Sequence, residues 1–203
     1  MDKTETEILK DFAKSTNRLI VNKEIPYPLT GIRTFQQYRR MVYMPNNPEN
    51  TSYFIWFSDP YAKIGLPTIF SGAFIPLSSN IKSRINIRNK NILDKLNIFS
   101  KTKANTIGSD RFDSKVVISG DIDSSVKRLL SQSRVQSQLL KALDTEEFRT
   151  ISLNEYKIDF IPEFKDTPYL AIINPQSWEL DKKNIEKIFS QIEKIRTIID
   201  YKS

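Results

Sequence analysis

Strand-forming segments follow one another through residues 19–120 with no long helical stretch to separate them, and this ordering restricts the fold more than any other feature of the chain. Sheets built from βαβ units alternate strand with helix, whereas strands in runs predict an α+β fold with a mainly antiparallel sheet. Segments 37–44 and 53–58 are rich in aromatic and β-branched residues. Between them lies Pro45-Asn46-Asn47-Pro48-Glu49-Asn50, a dense turn signal, so the two are expected to form a hairpin with a long loop. Further strands are predicted over 69–77, 81–88 and 115–119. In 81–88 the apolar Ile81, Ile85 and Ile87 alternate with Lys82, Arg84 and Arg88, which gives one packed face and one basic, wet face.

Helices bracket this run. Thr4 and Glu7 have capping-box spacing, and Ile8, Leu9 and Phe12 share the face of a short N-terminal helix. A second short helix is expected over 92–99, followed by a polar loop over 100–109. Beyond Gly120, the residues Ile122, Val126, Leu129 and Leu130, then Val135, Leu139, Leu140 and Leu143, recur at helical spacing. Ser131-Gln132-Ser133 interrupts that stripe, which implies a kink or two consecutive helices. The stripe as a whole predicts one long kinked helix over about 122–143. Three short strands are expected at 149–153, 157–161 and 169–173, with Asn154-Glu155 as a tight turn. An amphipathic helix closes the chain over about 181–200. Asp181 is its N-cap, and Ile185, Ile188, Phe189, Ile192, Ile195 and Ile199 form its buried stripe. The whole is expected to be one α+β domain, 1–203, with an N-terminal helix over 1–18, mostly strands over 19–120, and helix, strands and helix over 121–203. Both long helices are expected to pack on the sheet.

Composition removes whole classes of chemistry. The 203 residues contain no Cys, which excludes disulfides, thiol nucleophiles and thiolate metal sites. They contain no His, which removes the commonest general base and transition-metal ligand. Five scattered glycines form no phosphate-cradling loop. Asp2-Lys3-Thr4-Glu5 leads into no apolar run, which argues against a secretory signal, and no segment is apolar enough to span a bilayer.

A succession of packing motifs runs from Phe70-Ser71-Gly72 to Arg111-Phe112-Asp113-Ser114-Lys115-Val116-Val117. An Asp121-led helix with Leu129-Leu130-Ser131 and Leu139-Leu140 follows, then Tyr169-Leu170-Ala171-Ile172-Ile173. Over about two thirds of the chain, roughly residues 66–200, this succession resembles DUF3137, a bacterial family of domains of unknown function. The resemblance implies an α+β packing unit and brings no catalytic residues with it. Many members carry transmembrane helices ahead of the domain, so it also implies work near a membrane surface. The sequence departs from that pattern in having no such helix.

Five constellations are candidates for function. Ser79/Lys82, Ser100/Lys101/Thr102/Lys103 and Ser124/Lys127 match S-x-x-K, but the S-D-N and K-T-G partners of Ser-Lys catalysis are absent. Asp110, Asp113, Asp121 and Asp123 offer oxygen ligands for Mg²⁺ or Ca²⁺ without EF-hand spacing. The plainer reading is that Asp121 or Asp123 caps the following helix while Asp110 and Asp113 serve a turn. Tyr53, Phe54, Trp56, Phe57 and Tyr61 are the right chemistry to stack bases, although consecutive aromatics in a strand are more often core. No nucleotide loop exists. The fifth is basic: residues 82–103 carry seven cations against Asp94 alone, in a chain of net charge +7. Lys82, Arg84, Arg88 and Lys90 are therefore the candidate anion- or phosphate-binding residues, for nucleic acid or for an anionic membrane surface. The expectation that follows is a non-enzymatic binding or scaffolding domain without a cofactor. It is placed in the cytoplasm, peripheral to the membrane, and its partner is an anionic membrane surface or a protein. A nucleic-acid-binding domain is the alternative and a carboxylate-dependent metal enzyme the weaker one.

Overall fold

A computed structural model describes residues 3–29, 36–63, 66–78, 81–91, 94, 105–144 and 149–200. The chain divides into two compact units, Met1–Phe74 with Asn174–Phe189, and Ile75–Ile173 with Ser190–Ser203. The described residues form eight strands, and every register described below is antiparallel. This is the α+β fold that the run of strands predicts.

The first unit opens with α1 (Glu5–Ser15). The capping box is present: the Glu7 backbone N–H donates to Thr4 Oγ1 at 3.3 Å, and the Thr4 N–H donates to Glu7 Oε2 at 2.8 Å. Two of the free amides at the helix start are thereby satisfied by residues three apart. Leu9, Phe12 and Ala13 turn inward. Four strands follow in meander order: β1 (Val21–Pro26), β2 (Tyr38–Pro45), β3 (Tyr53–Lys63) and β4 (Leu66–Pro76). The expected β2–β3 hairpin forms around the Pro/Asn-rich loop, closed by the Asn46 N–H donating to the Ser52 C=O at 2.9 Å.

Consecutive residues of β3 are buried on both faces, and none of Tyr53 to Phe57 exceeds 5% exposure. Phe57 stacks on its cross-strand neighbour Phe70 at 5.1 Å, while Phe54 meets Trp56 at 4.5 Å and Phe189 at 5.5 Å. Each buried aromatic contributes about 1.5–3 kcal/mol of transfer free energy, so this cluster contributes substantially to the stability of the unit. Both tryptophans also fasten residues 176–179 across the strands. Trp56 Nε1 donates to the Glu179 C=O at 2.7 Å and Trp178 Nε1 to the Phe57 C=O at 3.0 Å. Buried Ser71 donates to the Ser177 C=O at 3.0 Å and accepts from the Glu179 N–H at 2.8 Å.

The second unit orders its strands β8-β7-β5-β6: β5 (Ile85–Asn89), β6 (Val116–Gly120), β7 (Thr150–Leu153) and β8 (Tyr169–Pro175). Its helices are α2 (Asp110–Asp113), α3 (Ser124–Leu130) and α4 (Ser133–Leu143). α5 (Lys182–Asp200) runs from the first unit into the second. It is capped as expected, the Asn184 N–H donating to Asp181 Oδ1 at 2.8 Å. Ile185, Ile188, Phe189, Ile192 and Ile195 are buried, and Ile199 is half-buried.

Three expectations are corrected. The long kinked helix over 122–143 is two helices, α3 and α4. Gln132 lies at φ −74°, ψ 118°, an extended conformation that ends helical hydrogen bonding. Ser131 Oγ donates back to the Lys127 C=O, and Gln136 Nε2 donates to the Leu130 C=O, so side chains satisfy the helix end. The strand expected over 81–88 begins only at Ile85, because the carbonyls of Ile81 and Ser83 accept from Asn154 Nδ2 at 2.9 and 3.0 Å. No strand forms at 157–161. There the backbone of Tyr156 binds the Tyr169 hydroxyl, and a turn leads to a 3₁₀ segment at Pro162–Phe164 that lets Ile158, Ile161 and Phe164 plug the core. Apart from Asp94, the helix expected over 92–99 and much of the loop expected over 100–109 lie outside the described residues.

Candidate functional site

The basic segment divides by partner. β5 buries Ile85 and Ile87 and leaves the alternate residues toward water. Lys82 and Arg84, just before the strand, are exposed. Arg88 and Lys90 are engaged within the protein. Arg88 holds Asp94 with both guanidinium arms, at 2.5 and 2.7 Å, and Lys90 Nζ donates to the Asp113 C=O at 2.7 Å. The Asp94 carboxyl is pushed down to about 2 by the Arg88 guanidinium and the Asn91 amide, which favour its ionised form. Arg88 and Lys90 therefore meet an outside anion only in competition with these bonds, whereas Lys82 and Arg84 have no such bond among the described residues. Lys95, Lys101 and Lys103 lie outside the described residues.

Two of the four aspartates bind backbone. Asp113 accepts from the amides of Ile107, Gly108 and Ser109 at 3.2, 3.0 and 2.9 Å, closing the loop before β6. Asp123 caps α3 through the Val126 N–H at 2.8 Å and accepts the Ser83 hydroxyl at 2.6 Å. Both partners hold its carboxyl below the usual carboxylate range, the Ser83 hydroxyl more than the amide. Asp110 and Asp121 are exposed. Among the described residues no group of acidic side chains is arranged to hold a metal ion. Ser124 and Lys127 sit in α3 with both side chains exposed, while Ser79 and Ser100 lie outside the described residues. Of Tyr53, Phe54, Trp56, Phe57 and Tyr61, Tyr61 alone is exposed, at 37%.

Two buried polar clusters have an internal purpose. Asp59, 4% exposed, accepts from the Tyr27 hydroxyl at 2.7 Å and the Tyr61 N–H at 2.9 Å, with Arg39 Nε 3.3 Å away. These bonds join β1's exit to β2 and β3. The Tyr169 hydroxyl accepts from the Tyr156 N–H at 2.5 Å and donates to its C=O at 2.9 Å. Burial pushes this phenol well above its ordinary range, so it stays neutral and structural.

The surface that the sequence reading missed is β1. All six of its residues are exposed, it pairs with β2 alone, and its other edge carries no strand among the described residues. Val21 and Ile25 are each 41% exposed, flanked by Leu19 at 78% and Leu29 at 62%. The hydrogen-bonding parity of this edge is fixed. The Tyr27 N–H donates to the Gln37 C=O at 2.9 Å, one step beyond the Pro26–Tyr38 pair and in the same register. Alternate residues Ile25, Lys23 and Val21 therefore bond to β2, and Asn22, Glu24 and Pro26 turn their backbone groups to the open edge. Pro26, which has no N–H, stands where none is needed by the sheet. Glu24 is 3.5 Å from Arg40 across the pair. The alternation of Val21, Lys23 and Ile25 was the available signal, and it says nothing of which strand ends a sheet.

No helix among the described residues is long and apolar enough to cross a membrane. No family model, no curated protein and no solved structure matches the chain.

Proposed function

We propose that this chain is a non-enzymatic binding or scaffolding domain that engages its partner through the β1 edge. The observation that carries the reading is a six-residue strand, exposed throughout, whose outward backbone groups at Asn22 and Glu24 meet no strand among the described residues, with Val21 and Ile25 each 41% exposed. Such an edge supplies main-chain hydrogen bonds for affinity and apolar positions for selectivity. The resemblance to DUF3137, which brings no catalytic residues, supports the same class. A cytoplasmic setting beside an anionic membrane belongs to this proposal, with exposed Lys82 and Arg84 as the residues that meet headgroups. The nucleic-acid alternative draws on the same two cations. Arg88 and Lys90 already have partners, which removes two phosphate contacts from either reading.

The test is selection of a displayed library of random heptapeptides on the full chain and on Asn22→Pro. That substitution removes an N–H from the open edge and leaves the β1–β2 bonds intact. Enrichment on the native chain that disappears on Asn22→Pro is the expected result. No enrichment, or enrichment indifferent to the substitution, refutes the reading.

A further inference from the structure

We infer that the β1 edge receives, by strand addition, an extended segment of a partner protein with the alternation apolar–x–acidic–x–apolar. The inference rests on the binding-domain reading above and adds the chemistry of the partner. Asn22 and Glu24 turn their backbone groups outward, so an added antiparallel strand exchanges its hydrogen bonds with them. Val21, Lys23 and Ile25 then become the non-hydrogen-bonded positions, where side chains of facing residues come closest. Each therefore reads the residue opposite it. Val21 and Ile25, both 41% exposed, gain most from apolar partners. Lys23 lies between them on the same face and opposite Met41, and makes no ion pair among the described residues. Its neighbour Glu24 projects to the other face, toward Arg40. The position facing Lys23 thus selects an acidic side chain. The net charge of +7 favours encounter with such a segment.

A second copy of this chain fits less well. The antiparallel register that sets Val21 against Ile25 of another copy puts Lys23 opposite Lys23. Centring on Glu24 opposes two carboxylates and wastes a position on Pro26, which has no N–H. Centring on Asn22 sets Val21 against Lys23.

The probes are fluorescent capped heptapeptides, Ser-Val-Thr-Glu-Thr-Val-Ser and its counterpart with Lys at the centre, titrated against the full chain by anisotropy. The glutamate peptide is expected to bind about tenfold more tightly, the span between an attractive and a repulsive facing pair. Lys23→Glu inverts the preference, and Asn22→Pro abolishes both complexes while leaving circular dichroism unchanged. Equal affinity for the two peptides, or no inversion by Lys23→Glu, overturns the inference. So does a concentration-dependent dimer that Asn22→Pro dissolves, which makes a second copy the occupant. If the random library enriches edge-dependent peptides without an acidic centre, the binding-domain reading stands and this inference alone fails. If nothing is enriched, both fail.

Discussion

Replacing Gly120 by alanine tests the packing beneath the basic segment. Gly120 ends β6 at φ +100°, paired with Ile85, and an added Cβ would lie 2.0 Å from the Arg84 carbonyl oxygen and 3.1 Å from the Ile85 Cα. Both neighbours are backbone, and Ile85 is held from its other side by Leu153 of β7, so neither can swing away as a side chain would. Gly108 is an internal control. It too has positive φ, +84°, but an added Cβ meets nothing within 4 Å. The left-handed conformation costs an L-residue about 1–2 kcal/mol, and that is the full expected loss for Gly108→Ala. Gly120→Ala adds an overlap that must be relieved by moving paired strands, about 1–3 kcal/mol more by analogy with overpacked cores. Urea unfolding of the two variants, followed by far-ultraviolet circular dichroism, should therefore show the larger drop in midpoint for Gly120→Ala. Equal losses would refute the argument that Arg84 is positioned by a glycine-only approach of β6 to β5.

Two further outcomes follow from the second unit. Asn154→Ala removes the donors to the Ile81 and Ser83 carbonyls and the acceptor for the Tyr169 N–H at 2.9 Å, at a residue with φ 53°. At about 1 kcal/mol for each net bond, a loss of about 2–4 kcal/mol is expected in denaturant titration, and a loss below 1 kcal/mol would contradict the clamp. Asp94→Asn tests the pair with Arg88 through pH. A carboxyl whose folded pKa is depressed from 3.8 to about 2 contributes stability that is present above the unfolded value and lost as pH falls through the folded one. Wild type is therefore expected to be the more stable at pH 6, with most of the gap to Asp94→Asn lost between about pH 4 and pH 2 and the remainder below pH 2. A gap that keeps its full size at pH 2 would show that the carboxylate charge is not its source.

What the sequence determined by itself was local or periodic. The Thr4/Glu7 capping box, a cap at Asp121 or Asp123 and one at Asp181 need only residues three apart; the box and the Asp181 cap are present, and of the two aspartates it is Asp123 that caps. Aromatic and β-branched content over 37–44 and 53–58 located β2 and the first half of β3. The absence of His and Cys bounds the chemistry by composition alone. Tertiary structure decided whatever depends on a distant partner. Residues 157–161 have a strand-like composition, but Tyr169 takes the backbone groups of Tyr156 and directs the chain into a turn. Residues 81–84 alternate as a strand should, but Asn154, some seventy positions away, occupies two of their carbonyls. A cluster of cations looked like one surface, yet a bidentate carboxylate and a main-chain oxygen hold Arg88 and Lys90 and leave Lys82 and Arg84 to solvent. The open edge of β1 belongs to the same class. A strand's composition records how well its side chains pack on a pleated surface. Whether its second row of amides and carbonyls finds a neighbour depends on sheet order, which is set by contacts between residues far apart in the chain.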